Sequence, residues 1–514
     1  MYGALLVGMG VIARQSIKGA LANYLGVAIG FFVSFFVLTR YLTQEEIGLT
    51  RVMVDAALLF SSLAQLGANA SIVRFFPWFK SSTSNPPNHG MLGWSVLLPL
   101  AGFVLFAVAF LVFREPLLGI YAKNAPLVAD YFYLMPMLTF FALYTTVFET
   151  YSSVLLRITV PKLVREVGIR LFNLAAYLLY GCGLISLDMF VWMFCGSYGL
   201  AMVLNLCYVA SLGGFTLRVD RGFLDRRKVG EILRYTLFMT ATVLAGNIPM
   251  FNSLFLGAKT GLALTGVYTI ASYIANVVEV PYRSLGAISR PVIATAMKED
   301  NLGEVNRLGR QVSLHQFMVS LAILYVIAIN LDVLFELIPN GQNYRQGIVV
   351  VLVLGGAKAL NSTLSVGTDI LNYSRHYSWS LLLIGVLTLS ALLFNDWFIG
   401  LFGINGAALA TLCAYLLYFT LLYALLWRKL RVHVFGWGQL KMVAVMAALV
   451  GVYGLWSAYL DPLLGMGLIV GAVVRTLVLS GLLLAAVLAW RVSPTVNIMV
   501  RTMPARLKRK GGGK

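Results

Sequence analysis

EEIGLTRVMVDAALLFSSLAQLGANASIVRFFP, residues 45–77, is charged only at Glu45, Glu46, Arg51, Asp55 and Arg74. As a helix, residues 52–73 are long enough to cross hydrocarbon, which takes about 20 apolar residues at 1.5 Å rise each. The window is continuously apolar instead of alternating, so it predicts a membrane-spanning helix and not a barrel strand. Comparable windows lie near 19–39, 91–113, 130–151, 168–187, 190–212, 235–257, 262–284, 314–335, 347–370, 379–399, 404–427, 441–460 and 466–490. The expected fold is therefore all-α, a polytopic membrane protein of about fourteen spans. The composition agrees, with 60% hydrophobic and 11% charged residues among 514. Lipid is the main solvent of such a chain.

A net charge of +19 would suggest nucleic acid in a soluble protein. Here the basic residues recur in short bursts between apolar windows, without an aromatic-interleaved basic module. Assigning them to alternate sides puts 31 of the 39 on one face, from Arg14 and Lys18 to the tail Arg491–Lys514. The positive-inside rule makes that face, and both termini, cytoplasmic. The excess reads as topology, and no nucleic-acid partner is expected. Residues 1–13 are apolar but lack the basic start and cleavage motif of a signal peptide. The cysteines Cys182, Cys195, Cys207 and Cys413 lie in apolar windows without metal or disulfide spacing, and read as small buried hydrophobes.

A weak internal repeat appears at a shift of about 213 to 218 residues, found by aligning span ends. Gly48 in EEIGLTRV meets Gly266 in ALTGVYTI, and Arg74 in ASIVRFFP meets Arg290 in GAISRPVI. TLRVDRG from Thr216 likewise meets KLRVHVFG from Lys429. Six spans per repeat is an even number, so the halves share one orientation about an axis along the membrane normal. The expected organisation is a six-helix lobe at 1–217, a basic connector at 218–234 and a second lobe at 235–431. A terminal helix pair at 432–490 and a basic tail at 491–514 follow. Alternating access by rocking of the lobes is the transport model this organisation favours.

Polar residues concentrate in spans two, seven and eight: Arg51, Asp55 and Asn69; Asn247 and Asn252 around Pro249; Glu279 and Arg283. Inside hydrocarbon such groups must face a cavity or one another. Arg51 and Asp55, four residues apart, either neutralise each other or line a cavity, and the same choice holds for Glu279 and Arg283. Lys358 sits near the middle of span ten and is expected to face a cavity. Arg475 either meets a lipid phosphate or pairs with a neighbour. Glu149 and Asp369 end their spans near Arg157 and Arg375, the expected partners. No phosphate-cradling GxxxxGK[ST] loop, HExxH pair or histidine base inside a span is present, so an enzyme lacks its usual parts and no cofactor or metal is expected.

The passages EEIGLTRVMVDAALLFSSLAQLGANASIVRFFP and TGVYTIASYIANVVEVPYRSLGAISRPVIA, with LLRITVPKLVREVGIRLFN at 155–173, resemble the polysaccharide transporter branch of the multidrug/oligosaccharidyl-lipid/polysaccharide exporter superfamily. The likeness extends over nearly the whole chain, through glycine and arginine placements and not a sharp signature. It implies a non-enzymatic flippase in the bacterial cytoplasmic membrane that carries an undecaprenyl-pyrophosphate-linked oligosaccharide outward for O-antigen or capsule assembly. Arg51, Arg283 and Lys358 would then meet the pyrophosphate and Asn247 and Asn252 the sugars, while Glu279 or Asp55 would bind H⁺ or Na⁺. Membrane lipids and the polysaccharide polymerase machinery are the implied partners. The rival readings are a drug or metabolite antiporter, a lipid II flippase and, from another class, a membrane glycan polymerase or acyltransferase.

Overall fold

The computed structural model describes residues 25–498, apart from 81–83, 85–86, 214–215, 221–222, 224 and 244–247. Its principal helices are α1 (Leu25–Tyr41), α2 (Gln44–Ala64), α3 (Ala68–Phe79), α4 (Met91–Val112) and α5 (Met135–Val154). Next come α6 (Ile169–Gly181), α7 (Leu187–Ser211), α8 (Arg226–Val243), α9 (Ile248–Lys259), α10 (Leu262–Asn276) and α11 (Val280–Lys298). The last are α12 (Leu302–Ile329), α13 (Ile348–Tyr373), α14 (Ser378–Leu425), α15 (Trp437–Leu455) and α16 (Leu468–Ala489). Ten helices among the described residues are long and apolar enough to cross a membrane. The protein is thus an all-α, multi-pass membrane protein, and the described residues of the expected windows lie mostly on helix.

Several spans are broken where the sequence permits it. Leu66 and Gly67 adopt positive φ (49° and 70°) between α2 and α3, where a Cβ on Gly67 would lie 2.5 Å from the Thr236 carbonyl. α14 carries two spans, because Gly403 at φ 55° turns the chain back. At that hairpin the carbonyl of Phe398 occupies the space of a Cβ on Gly406. α2 starts with a capping box: the Thr43 amide donates to Glu46 Oε2 at 2.8 Å and the Glu46 amide to Thr43 Oγ1 at 3.3 Å. Buried Glu46 also accepts from the Tyr180 hydroxyl.

The chain forms two compact units, one of residues up to Ile270 with Ala391–Ala407, the other of Ala271–Ser390 with residues from Ala408 onward. These boundaries follow packing, whereas 1–217 and 235–431 follow the repeat. The first unit has an aromatic core in which Phe75, Phe76 and Phe79 of α3 meet Tyr144 and Phe148 of α5. In the second, Tyr325 and Ile329 of α12 pack with Met442 and Leu449 of α15 and with Leu479 and Leu483 of α16. In α2 67% of the most apolar window is buried, in α15 and α16 only 17%, so the last two helices present most of their surface outward. Apolar residues on such faces are solvated by lipid. The same distinction corrects the cysteine expectation: Cys195 is buried, but Cys182 and Cys207 are exposed.

Within the first unit, the repeat-related Gly48 and Gly266 make a reciprocal contact. A Cβ on Gly48 would collide with the carbonyl of Leu262, and one on Gly266 with the carbonyl of Gln44. Each glycine therefore receives the residue four before the other glycine, so α2 and α10 cross with backbones touching at equivalent points. Only hydrogen at Cα allows such close approach. Gly48→Val is expected to destabilise the protein by about 3 kcal/mol through overpacking. Gly451→Val, at a glycine with open space around it, serves as the control and should change stability by less than about 0.5 kcal/mol. Thermal unfolding in detergent measures both, and equal effects would refute the contact.

Candidate functional site

Five of the expected polar residues, Arg51, Asp55, Asn252, Glu279 and Lys358, lie in two clusters, one in each unit. In the first, Arg51 Nε donates to Asp55 Oδ2 at 2.6 Å along α2, an ion pair within one helix. Asp55, 3% exposed, also accepts from the hydroxyl of Ser253 on α9. The neighbouring Asn252 donates its Nδ2 to the hydroxyl of Tyr268 on α10 at 2.6 Å, and all three side chains of this second layer are buried. Three helices are thereby linked by polar groups. A carboxylate taken out of water loses several kcal/mol of solvation, which the guanidinium and hydroxyl offset. Asn69 stands beyond the break, on α3, and joins neither cluster; its Oδ1 is buried and accepts no hydrogen bond among the described residues. Asn247, and the side chains of Pro249 and Arg283, lie outside the described residues.

The second cluster is built on a discontinuity. One 3₁₀ turn, Val277–Glu279, separates α10 from α11, which begins with Pro281 in its first turn. Proline has no N–H to continue the ladder. The Val278 carbonyl accepts from Ser320 Oγ of α12, at 3.3 Å. Glu279 turns toward α13, where Lys358 Nζ donates to its Oε2 at 3.1 Å and Asn361 Nδ2 to its Oε1 at 2.9 Å. The side chains of Lys358 and Glu279 are 8% and 13% exposed. Glu279 thus has partners on α13, a different helix from the one that carries Arg283. Asn361 was detectable in principle, since it lies three residues from Lys358 and so on the same face. Ser253 and Tyr268 were not, because hydroxyls in apolar helices usually satisfy their own backbone.

Other intramembrane charges are answered internally, with different partners from those nearest in sequence. Asp369 pairs with Arg290 at 3.1 Å and not with Arg375, and Arg290 Nη2 also donates to Tyr282 at 2.7 Å. Glu149 pairs with Arg165 at 2.7 Å and not with Arg157. Arg475, 9% exposed, pairs with Asp461 at 3.0 Å and donates to Asn330 Oδ1 at 3.3 Å. Arg74, the repeat equivalent of Arg290, lies 4.2 Å over the ring of Tyr235.

A family model described as polysaccharide biosynthesis protein matches residues 14–297, more than half of the chain. The chain belongs to that family. Solved structures share the fold. The lipid II flippase MurJ in an inward closed conformation superposes with a TM-score of 0.69 at 10% identity, over 90% of this chain and 98% of that one. An inward-facing multidrug transporter of the superfamily gives 0.61 at 18% identity, over 82% of this chain and 98% of its own. An outward-facing one gives 0.54 at 19% identity, over 82% and 95%. A comparison with curated proteins finds no match. At these identities the structural likeness establishes the fold, while the family match establishes kinship.

If Lys358 and Glu279 hold each other, removing either leaves a buried charge without its counterpart. Lys358→Met and Glu279→Gln are each expected to cost about 3 kcal/mol, and the double variant clearly less than their sum. A double-mutant cycle on thermal unfolding checks this, and additive losses would show that the two side chains do not interact.

Proposed function

We propose that the protein is a flippase that carries an undecaprenyl-pyrophosphate-linked oligosaccharide from the inner to the outer leaflet of the bacterial cytoplasmic membrane, by alternating access of its two six-helix repeats. The observation that carries this reading is a lysine buried within a span of a polysaccharide-biosynthesis family member, and held by one carboxylate and one amide. Lys358 is a movable point charge on a flexible stem. Pyrophosphate competes with Glu279 for it, while Asn361 remains as a neutral donor. Such an exchange keeps the ammonium compensated with and without substrate. Arg51 and Asp55 with Asn252 are the corresponding polar contacts on the first unit. In this reading the basic loops and both termini face the cytoplasm.

The membrane potential assists. Negative charge moving outward across an inside-negative membrane gains about 2.3 kcal/mol per charge per 100 mV, and roughly 5 kcal/mol for two charges. Nucleotide hydrolysis is then not needed, and H⁺ or Na⁺ at Glu279 or Asp55 would add to the driving force. The fold shared with MurJ supports a lipid-linked cargo, and makes lipid II the competing one.

The test measures lipid-linked oligosaccharide and lipid II pools in a deletion strain complemented with wild type, Lys358→Arg or Lys358→Ala at equal protein levels. The oligosaccharide pool is expected to build up on the cytoplasmic leaflet, to be cleared by wild type, partly by Lys358→Arg, and not by Lys358→Ala. A rise in lipid II alone would reassign the cargo, and unchanged pools would leave the antiporter reading in its place.

A further inference from the structure

Along one side of α12 in the second unit lie a polar hollow and, one helical turn further on, an apolar one. The polar hollow, about 460 Å³, is lined by Arg307, Arg310, Gln311 and His315 of α12 and by Ser493 and Thr495 beyond α16. Arg307 is held by Glu304, at 2.6 Å and 2.8 Å, and its Nη1 donates to Gln311 at 3.4 Å. Arg310 Nε donates to the carbonyl of His433 at 3.2 Å, and among the described residues Arg310 has no carboxylate partner. His315 Nε2 meets Ser493 Oγ at 3.1 Å, and Gln311 Nε2 meets Thr495 Oγ1 at 3.4 Å. One helical turn further on begins an apolar cavity of about 630 Å³, between Met318–Ile327 of α12 and Ser480–Val487 of α16. A second apolar hollow shares Val326 and Ile327 and continues toward Leu337 and Ile469.

We infer that this composite cavity is a binding site for a resident anionic diacyl phospholipid, its phosphate at Arg310 and its acyl chains in the first apolar cavity. Two independent features fit that occupant. The mouth carries an arginine whose charge no carboxylate answers, next to hydroxyl, amide and imidazole groups that bind phosphate oxygens. The apolar part spans ten residues of α12, Met318–Ile327, roughly 14 Å from first to last at 1.5 Å per residue, about half of a hydrocarbon core of about 30 Å. That is the depth of one leaflet. A polyprenyl chain, being longer, would run on into the second hollow. The site is independent of the Lys358 cluster, and its occupant is a component of the bilayer and not the cargo.

Native mass spectrometry of the full-length protein in detergent, with palmitoyl-oleoyl phosphatidylglycerol or phosphatidylcholine added, tests it. Wild type should retain phosphatidylglycerol about fivefold better, as expected of one uncompensated basic group. Arg310→Gln should abolish the preference, and Arg310→Lys should keep it. Ala322→Trp, which fills the first cavity, should lower retention of both lipids, whereas Ala472→Trp, in the second hollow, should leave phosphatidylglycerol unaffected. Equal retention of the two lipids by wild type, or an unchanged preference in Arg310→Gln, overturns the proposal. So does displacement by undecaprenyl phosphate at one tenth the phosphatidylglycerol concentration, or loss of phosphatidylglycerol in Ala472→Trp, either of which would assign the site to the cargo. Displacement by millimolar inorganic phosphate would show a bare anion site and overturn it too. If Arg310→Gln does not fold, Ala322→Trp with its native headgroup contacts still decides.

Discussion

Charge within an apolar span has to be answered by the protein itself, because hydrocarbon offers no hydrogen bonds and little dielectric screening. Three of the described intramembrane charges follow this constraint. Asp55 is met by Arg51 and Ser253, Glu279 by Lys358 and Asn361, and Arg475 by Asp461 and Asn330. These arrangements tie helices together in a solvent where apolar contacts between helices give little net advantage over contacts with lipid. They also concentrate ionisable groups at the 3₁₀ turn preceding α11, where the backbone is already interrupted.

Much of the fold was legible because hydropathy and helix length constrain each other. The windows located the spans, and Gly67, Pro281 and Gly403 lie where the helices break or turn. Partner choice was less legible. Sequence proximity favoured Arg157 for Glu149 and Arg375 for Asp369, but helix packing brings Arg165 and Arg290 instead. Lys358 stood out as a charge in mid-span, whereas its carboxylate lies 79 residues away and only tertiary structure joins them. Hydropathy likewise failed to separate Cys195 in the interior from Cys182 and Cys207 on the surface, since both environments are apolar.

The two units distribute their polarity differently. The first links α2, α9 and α10 through a carboxylate, a hydroxyl and an amide. The second places a lysine and a glutamate in direct contact and adds, along α12 and α16, a polar hollow and an apolar one. Family membership places both sets of features in a polysaccharide biosynthesis protein.

The reciprocal seat of Gly48 and Gly266 bears on how the contact tolerates change. Helices that begin at residues 44 and 262 and carry a glycine at the same fifth position meet as two copies of one surface would. Were the two sides encoded once, a single change at that glycine would strike both at the same time. Encoded separately, as here, each side can change alone, yet a Cβ on either glycine still meets a backbone carbonyl of the other helix.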